Sequence, residues 1–165
     1  MANTYIQIGS TVTVGSGGST SIDFTSIPST YTDLVVKFST RYDLDLNTFD
    51  LKLNSVTTSQ TARRVLGNGS AASSSTYTEV HTNPSGSTAN TFGNGEIYIP
   101  NYAGSTNKSI SIDVVSENNA TLAYSILEAW LWSSTAAITS ISLTARSTAK
   151  FVQYSTASLY GISKS

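Results

Sequence analysis

The chain has 165 residues, of which 39% are hydrophobic and only 12% charged, with a formal net charge of −1. That length predicts one domain with a real core, and nine scattered basic side chains form no stripe to neutralise phosphates, which argues against nucleic acid as a partner. The absence of cysteine excludes disulfides and thiolate metal sites, and neither an apolar run near ~18 residues nor a signal-peptide pattern is present, so no membrane span and no secretory route are expected.

Serine and threonine fill about a third of the chain. Short hydroxyl side chains compete with helical backbone hydrogen bonds, while threonine and tyrosine favour strands, so the composition predicts an all-β fold. In chain order, Ile6 and Ile8, then Val12 and Val14, alternate up to the turn at Gly15-Ser16-Gly17-Gly18. Thr20 to Phe24 alternates again, and the two runs around the glycines read as a β-hairpin. Ile27-Pro28-Ser29-Thr30 breaks the pattern, because proline cannot donate to a ladder. Leu34, Val36 and Phe38 then share a buried face, with Val35, Lys37, Ser39 and Arg41 on a largely wet one. After an acidic loop at Asp43 to Thr48, Phe49, Leu51 and Leu53 form the next period-2 set, and these two strands are expected to pair antiparallel.

From Ser55 to Asn94 the pattern dissolves. A structureless excursion of that length is uncommon in a compact domain, so strands are expected near Ala62 to Leu66 and near Tyr77 to Val80, with loops between them. The region reads either as a surface insertion or as a contact loop. Order returns at Glu96 to Pro100, and Lys108 to Glu117 aligns Ile110, Ile112 and Val114 before a turn at Asn118-Asn119. Thr121 to Trp132 is the most apolar segment, and apolar residues on both faces predict a central strand. Ile138 to Thr144 and Phe151 to Ile162 complete a set of roughly eight to ten strands. The expected fold is an antiparallel β-sandwich of jelly-roll type with long loops, one domain over residues 1–165 with an irregular excursion at about 55–94.

The search for chemistry yields no catalytic residues. His81 is the lone histidine and reads as a surface-loop residue, and no Gly-x-Ser-x-Gly elbow is present. Asp43, Asp45, Asn47 and Asp50 space their oxygens like a calcium loop, but Thr48 stands at the required glycine and Asn54 at the bidentate glutamate, so solvated loop carboxylates are expected and no metal or cofactor. A glycosidase needs two facing carboxylates, one of them buried. Glu96, Asp113, Glu117 and Glu128 are placed on different strands by the sequence, with Glu128 either paired to Arg146 or Lys150 or facing solvent. Trp130 and Trp132 share a sheet face, where they either fill a core or interface or stack on sugars. Arg63 and Arg64 in the irregular region could anchor to a partner's carboxylates or carbonyls. The candidate partner-contact residues are therefore Arg63, Arg64, Tyr77, Trp130 and Trp132.

Several stretches also carry a resemblance. Gly93-Asn94-Gly95-Glu96-Ile97-Tyr98-Ile99-Pro100-Asn101-Tyr102, Trp132-Ser133-Ser134-Thr135-Ala136-Ala137-Ile138-Thr139-Ser140-Ile141 and Ala157-Ser158-Leu159-Tyr160-Gly161-Ile162 resemble small structural proteins of marine tailed bacteriophages, including cyanophages. Ile27-Pro28-Ser29-Thr30-Tyr31-Thr32-Asp33-Leu34 is similar too. The resemblance covers most of the chain, is weakest across 55–92, and lies in strand and turn wording without an active site. It implies a virion component made in a host cytoplasm. The function expected on that basis is a non-enzymatic decoration or cement protein on the capsid, binding the major capsid protein or other virion proteins as a homo-oligomer, a trimer being the guess. The alternative is a tail-fibre or receptor-binding module for host glycans, using Trp130, Trp132 or loop tyrosines. A glycan-degrading enzyme stands third, for want of a carboxylate pair.

Overall fold

The computed structural model describes residues 4–57, 60–67, 73–76, 78–117 and 123–163, and these contain no helix. Twelve strands run in the order β1 (Thr4–Thr13), β2 (Ser21–Phe24), β3 (Asp33–Thr40), β4 (Thr48–Leu53), β5 (Gln60–Gly67), β6 (Ser73–Ser75), β7 (Glu79–His81), β8 (Gly93–Ile99), β9 (Lys108–Glu117), β10 (Ala123–Trp132), β11 (Ile141–Thr144) and β12 (Thr156–Ser163). They form an all-β sandwich of two antiparallel sheets. The larger has the order β1-β12-β3-β8-β9-β10-β5-β6 and the smaller β2-β11-β4-β7.

The pairings are nested. β1 pairs with β12, β2 with β11, β3 with β8 and β4 with β7. β12 then closes on β3 and β11 on β4, as a long hairpin would if rolled so that successive strands fall in alternate sheets. Two further pairs extend the larger sheet beyond β8: the β9–β10 hairpin, and β5 with β6.

Strand alternation survives in detail. β4 buries Phe49, Leu51 and Leu53 and turns Thr48, Asp50 and Lys52 outward, and β9 buries every second residue from Lys108 to Ser116. The inner faces meet in one core. Phe38 of the larger sheet packs edge-to-face on Phe49 of the smaller at 5.3 Å, and Phe49 continues to Phe151 at 5.7 Å. Edge-to-face geometry sets the positive ring edge against the negative ring face, adding about 0.5–1.5 kcal/mol per pair beyond area burial. Gly95 makes room for this cluster, because a Cβ there would stand 2.5 Å from Phe38 Cζ and 2.7 Å from the Asp113 carbonyl oxygen. Gly161 likewise lies flat beneath the Tyr31 ring, leaving no space for a side chain.

Four expectations are corrected. β1 and β2 do not form a hairpin, and β3 and β4 do not pair, since the members of each couple lie in different sheets. Alternation shows that a strand has one apolar face, and in a rolled sandwich consecutive strands place those faces against each other across the core. Val35 is fully buried on the outer face, in register between Tyr98 and Tyr160. The 55–94 region holds the two strands expected there as β5 and β7, adds β6, and ends in the start of β8, while Tyr77 and the turn at Asn118-Asn119 lie outside the described residues. The last two strands are also shorter than expected, beginning at Ile141 and Thr156.

Candidate functional site

A broad concavity lies on the outer face of the larger sheet, where β3, β8, β9 and β10 stand side by side. Register aligns Lys37, Glu96, Asp113 and Leu127 in one row, and Val35, Tyr98, Ser111 and Ala129 in the next. Small residues at Ser111 and Ala129 leave a trough of about 910 Å³ between Lys37 and Tyr98 on one side and Val115 and Leu127 on the other. Leu127 is 58% exposed and Val115 is exposed beside it, both lining the trough, with Leu131 exposed further along β10. Scattered surface leucines need no explanation, whereas Val115 and Leu127 share one concavity.

The polar wall is electrostatically settled. Lys37 Nζ lies 3.1 Å from Glu96 Oε2 and 5.7 Å from the Tyr5 ring centroid, and the Glu96 hydrogen bond raises the lysine's pKa. Both partners are well exposed, so this pair contributes little to stability. The Tyr98 hydroxyl donates to Asp33 Oδ2 at 2.9 Å, and burial, reinforced by that bond, raises the tyrosine's pKa. Glu96 and Asp113 are direct cross-strand neighbours, which brings two carboxylates together. Asp113 is exposed and Glu96 is engaged by Lys37, so the pair lacks the buried acid that glycoside hydrolysis requires.

Trp130 and Trp132 are each only 2% exposed and belong to the core, so neither offers a face to a sugar ring. Trp130 Nε1 donates to Glu128 Oε2 at 2.7 Å, and Glu128 is buried rather than turned to solvent or paired with Arg146 or Lys150. Arg146 instead meets Asp50 at 3.4 Å and Glu79 at 3.3 Å. Beside Trp132, the buried Lys108 donates from Nζ to the carbonyls of Gly104 and Ala136, both at 2.7 Å, with its pKa lowered by burial. Arg63 and Arg64 lie on strand β5, not in a loop, opposite Ala129 and Glu128 in the β10 ladder. Asp113 and Glu117 share β9 rather than occupying different strands.

His81 is on β7, buried, with its ring 6.4 Å from Tyr124. It is not a surface-loop residue. In the acidic loop, Asp43 Oδ1 accepts the Lys150 backbone N–H at 2.7 Å, while Asp50 is held by Arg146. Among the described residues, no group of three His, Cys, Asp or Glu side chains is placed to hold a metal ion.

Two features escape sequence reasoning. Arg41, at the end of β3, donates from Nη1 to the carbonyls of Thr88 (2.7 Å) and Thr91 (3.0 Å), and from Nη2 to those of Ser85 (2.8 Å) and Ser87 (3.0 Å). One guanidinium thus fixes the 84–92 loop. The available signal was an isolated arginine closing a strand in a chain with so few charges. The second is the β1 edge. The other sheet edges are strands of three or four residues, whereas β1 has ten, without a single charge, and leaves Tyr5 and Ile6 exposed. Proteins usually shorten or charge such edges, because unpaired backbone groups template further strands.

No family model matches this chain, and neither a curated protein nor a solved structure matches it.

Proposed function

We propose that this chain is a non-enzymatic structural protein of a tailed-phage virion, a decoration or cement protein bound to the outer capsid surface. One observation carries the reading: Val115 and Leu127 line an open apolar trough on the outer face of the larger sheet, with Leu131 exposed further along β10. That surface suits a protein partner, whose side chains would fill the trough and remove the apolar area from water at about 25 cal/mol per Å². The nested strand order supports the same reading if it is taken as jelly-roll-like, with four added strands widening one sheet. The phage-like wording of the closing strands supplies the setting.

In this account the trough docks on the major capsid protein, and the uncharged β1 edge meets sibling subunits in a homo-oligomer, taken as a trimer. Bridging neighbouring capsomers adds buried area across their joints and so resists internal pressure. The receptor-tip alternative loses its tryptophan pair, because both indoles are inside. The test is binding of purified protein to undecorated shells: Leu127→Glu, at a site 58% exposed, should fold normally and fail to bind. Undiminished binding by that variant would remove the trough from the proposal.

A further inference from the structure

We infer that the turn carrying Tyr154, together with the 84–92 loop, forms a second binding site, one that takes a neutral saccharide. This goes beyond the docking role and uses a different surface. Val152 to Ser155 close a tight turn, with the Ser155 N–H donating to the Val152 carbonyl at 3.1 Å. Tyr154 stands at its third position with φ of 72°. That backbone conformation suits glycine, and a bulky aromatic there is strained. The strained side chain is not used to fill the core: Tyr154 is 68% exposed, more than any other large hydrophobic side chain among the described residues. Strain retained at an exposed aromatic is what recognition at that position would require.

Beside it lies a cleft of about 500 Å³, lined by Arg41, Asn90, Phe92, Val152, Gln153 and Tyr154. That volume falls within the ~300–1,000 Å³ of small-molecule sites. Both walls are fixed before any ligand arrives, one by the turn and the other by the four Arg41 bonds to the loop. Both terminal nitrogens of Arg41 already donate twice, which leaves no terminal N–H for a bidentate grip on an anion, and no other described residue lining the cleft is charged. What remains is an exposed tyrosine, a half-buried phenylalanine and the exposed carboxamides of Asn90 and Gln153. A flat aromatic stacks on the apolar face of a pyranose, and carboxamides both donate to and accept from its hydroxyls. An uncharged polyol with one apolar face fits this set; an apolar peptide would leave the amides unmatched.

The test uses the whole chain, isotope-labelled, titrated with a panel of neutral monosaccharides and followed by amide NMR. Binding in the millimolar range is expected, with shifts at Asn90, Phe92, Gln153 and Tyr154. Tyr154→Gly should melt no lower than the parent, since glycine accepts the turn's φ, and should weaken binding at least about tenfold, the equivalent of ~1.4 kcal/mol. Gln153→Ala gives a second variant outside the strained position, expected to weaken the same shifts. The inference is overturned if no neutral sugar perturbs these amides, if only acidic sugars do, or if the shifts persist in Tyr154→Gly. It is equally overturned if Tyr154→Gly changes the oligomeric mass and not sugar binding, which would make the turn a contact between copies. Shell binding is measured separately through Leu127, so either site can fail without the other.

Discussion

Replacing Arg41 by methionine removes four hydrogen bonds at once while keeping most of the side chain's length. Its terminal nitrogens reach the carbonyls of Ser85, Ser87, Thr88 and Thr91 at 2.7–3.0 Å. The Ser85 carbonyl belongs to an exposed residue and can be hydrated, and the Thr88 carbonyl keeps the Thr91 N–H and hydroxyl as donors, which leaves the Ser87 and Thr91 carbonyls without one. Each such orphan costs at least about 1 kcal/mol, so the variant should lose about 2 kcal/mol of unfolding free energy. For a chain of this length that corresponds to a fall in Tm of about 4–8 °C. Urea denaturation gives the first quantity, and hydrogen exchange localises it: the Ser87 and Thr91 amides, which close turns onto Pro84 and Thr88, should lose protection before the β9 and β10 amides do. Arg41→Lys should recover less than half of the loss, because a single ammonium cannot address four diverging carbonyls. A loss below about 0.5 kcal/mol, the range of indifferent surface substitutions, would refute the idea that this guanidinium holds the loop.

Gly95→Ala should destabilise by about 2 kcal/mol in urea titration, because the new methyl collides with Phe38 and with a backbone oxygen that cannot swing aside. Trp130→Ala should cost about 3–5 kcal/mol by the same measurement, as expected of a core indole that also donates to a buried carboxylate; a near-neutral result would contradict its place in the core. Alkaline pH should unfold the protein. Tyr42, Tyr98 and Tyr102 are raised above 10.0 chiefly by burial, so each holds its proton more tightly folded than unfolded. Their contribution is complete below pH 10.0 and is lost as pH rises through the raised values, while Lys108, lowered by burial, opposes this with a smaller share. A Tm that holds steady or rises above pH 10 would contradict the sign.

The strands were legible in the sequence because a half-buried strand must alternate, and β4 and β9 do so without exception. Their partners were not legible. The glycine turn after β1 suggests a hairpin by local chemistry, yet β1 pairs with β12 across almost the whole chain, and no local signal records such a contact. The tryptophans were read correctly as sharing a face, but whether that face lies inward depends on what covers it. Two sites were hidden for different reasons. Arg41 acts on backbone carbonyls, which every residue carries, so its partners leave no trace in side-chain identity. The trough arises from register, which sets Ser111 and Ala129 where larger residues would have filled it.

The most direct test of the docking account is a reconstruction of the tailed-phage particle in which the chain is proposed to sit, at a resolution that traces it. The account predicts copies distributed over the whole shell, with Val115, Leu127 and Leu131 against the capsid protein. Copies confined to the tail, or attached to the shell with that face turned to solvent, would contradict it.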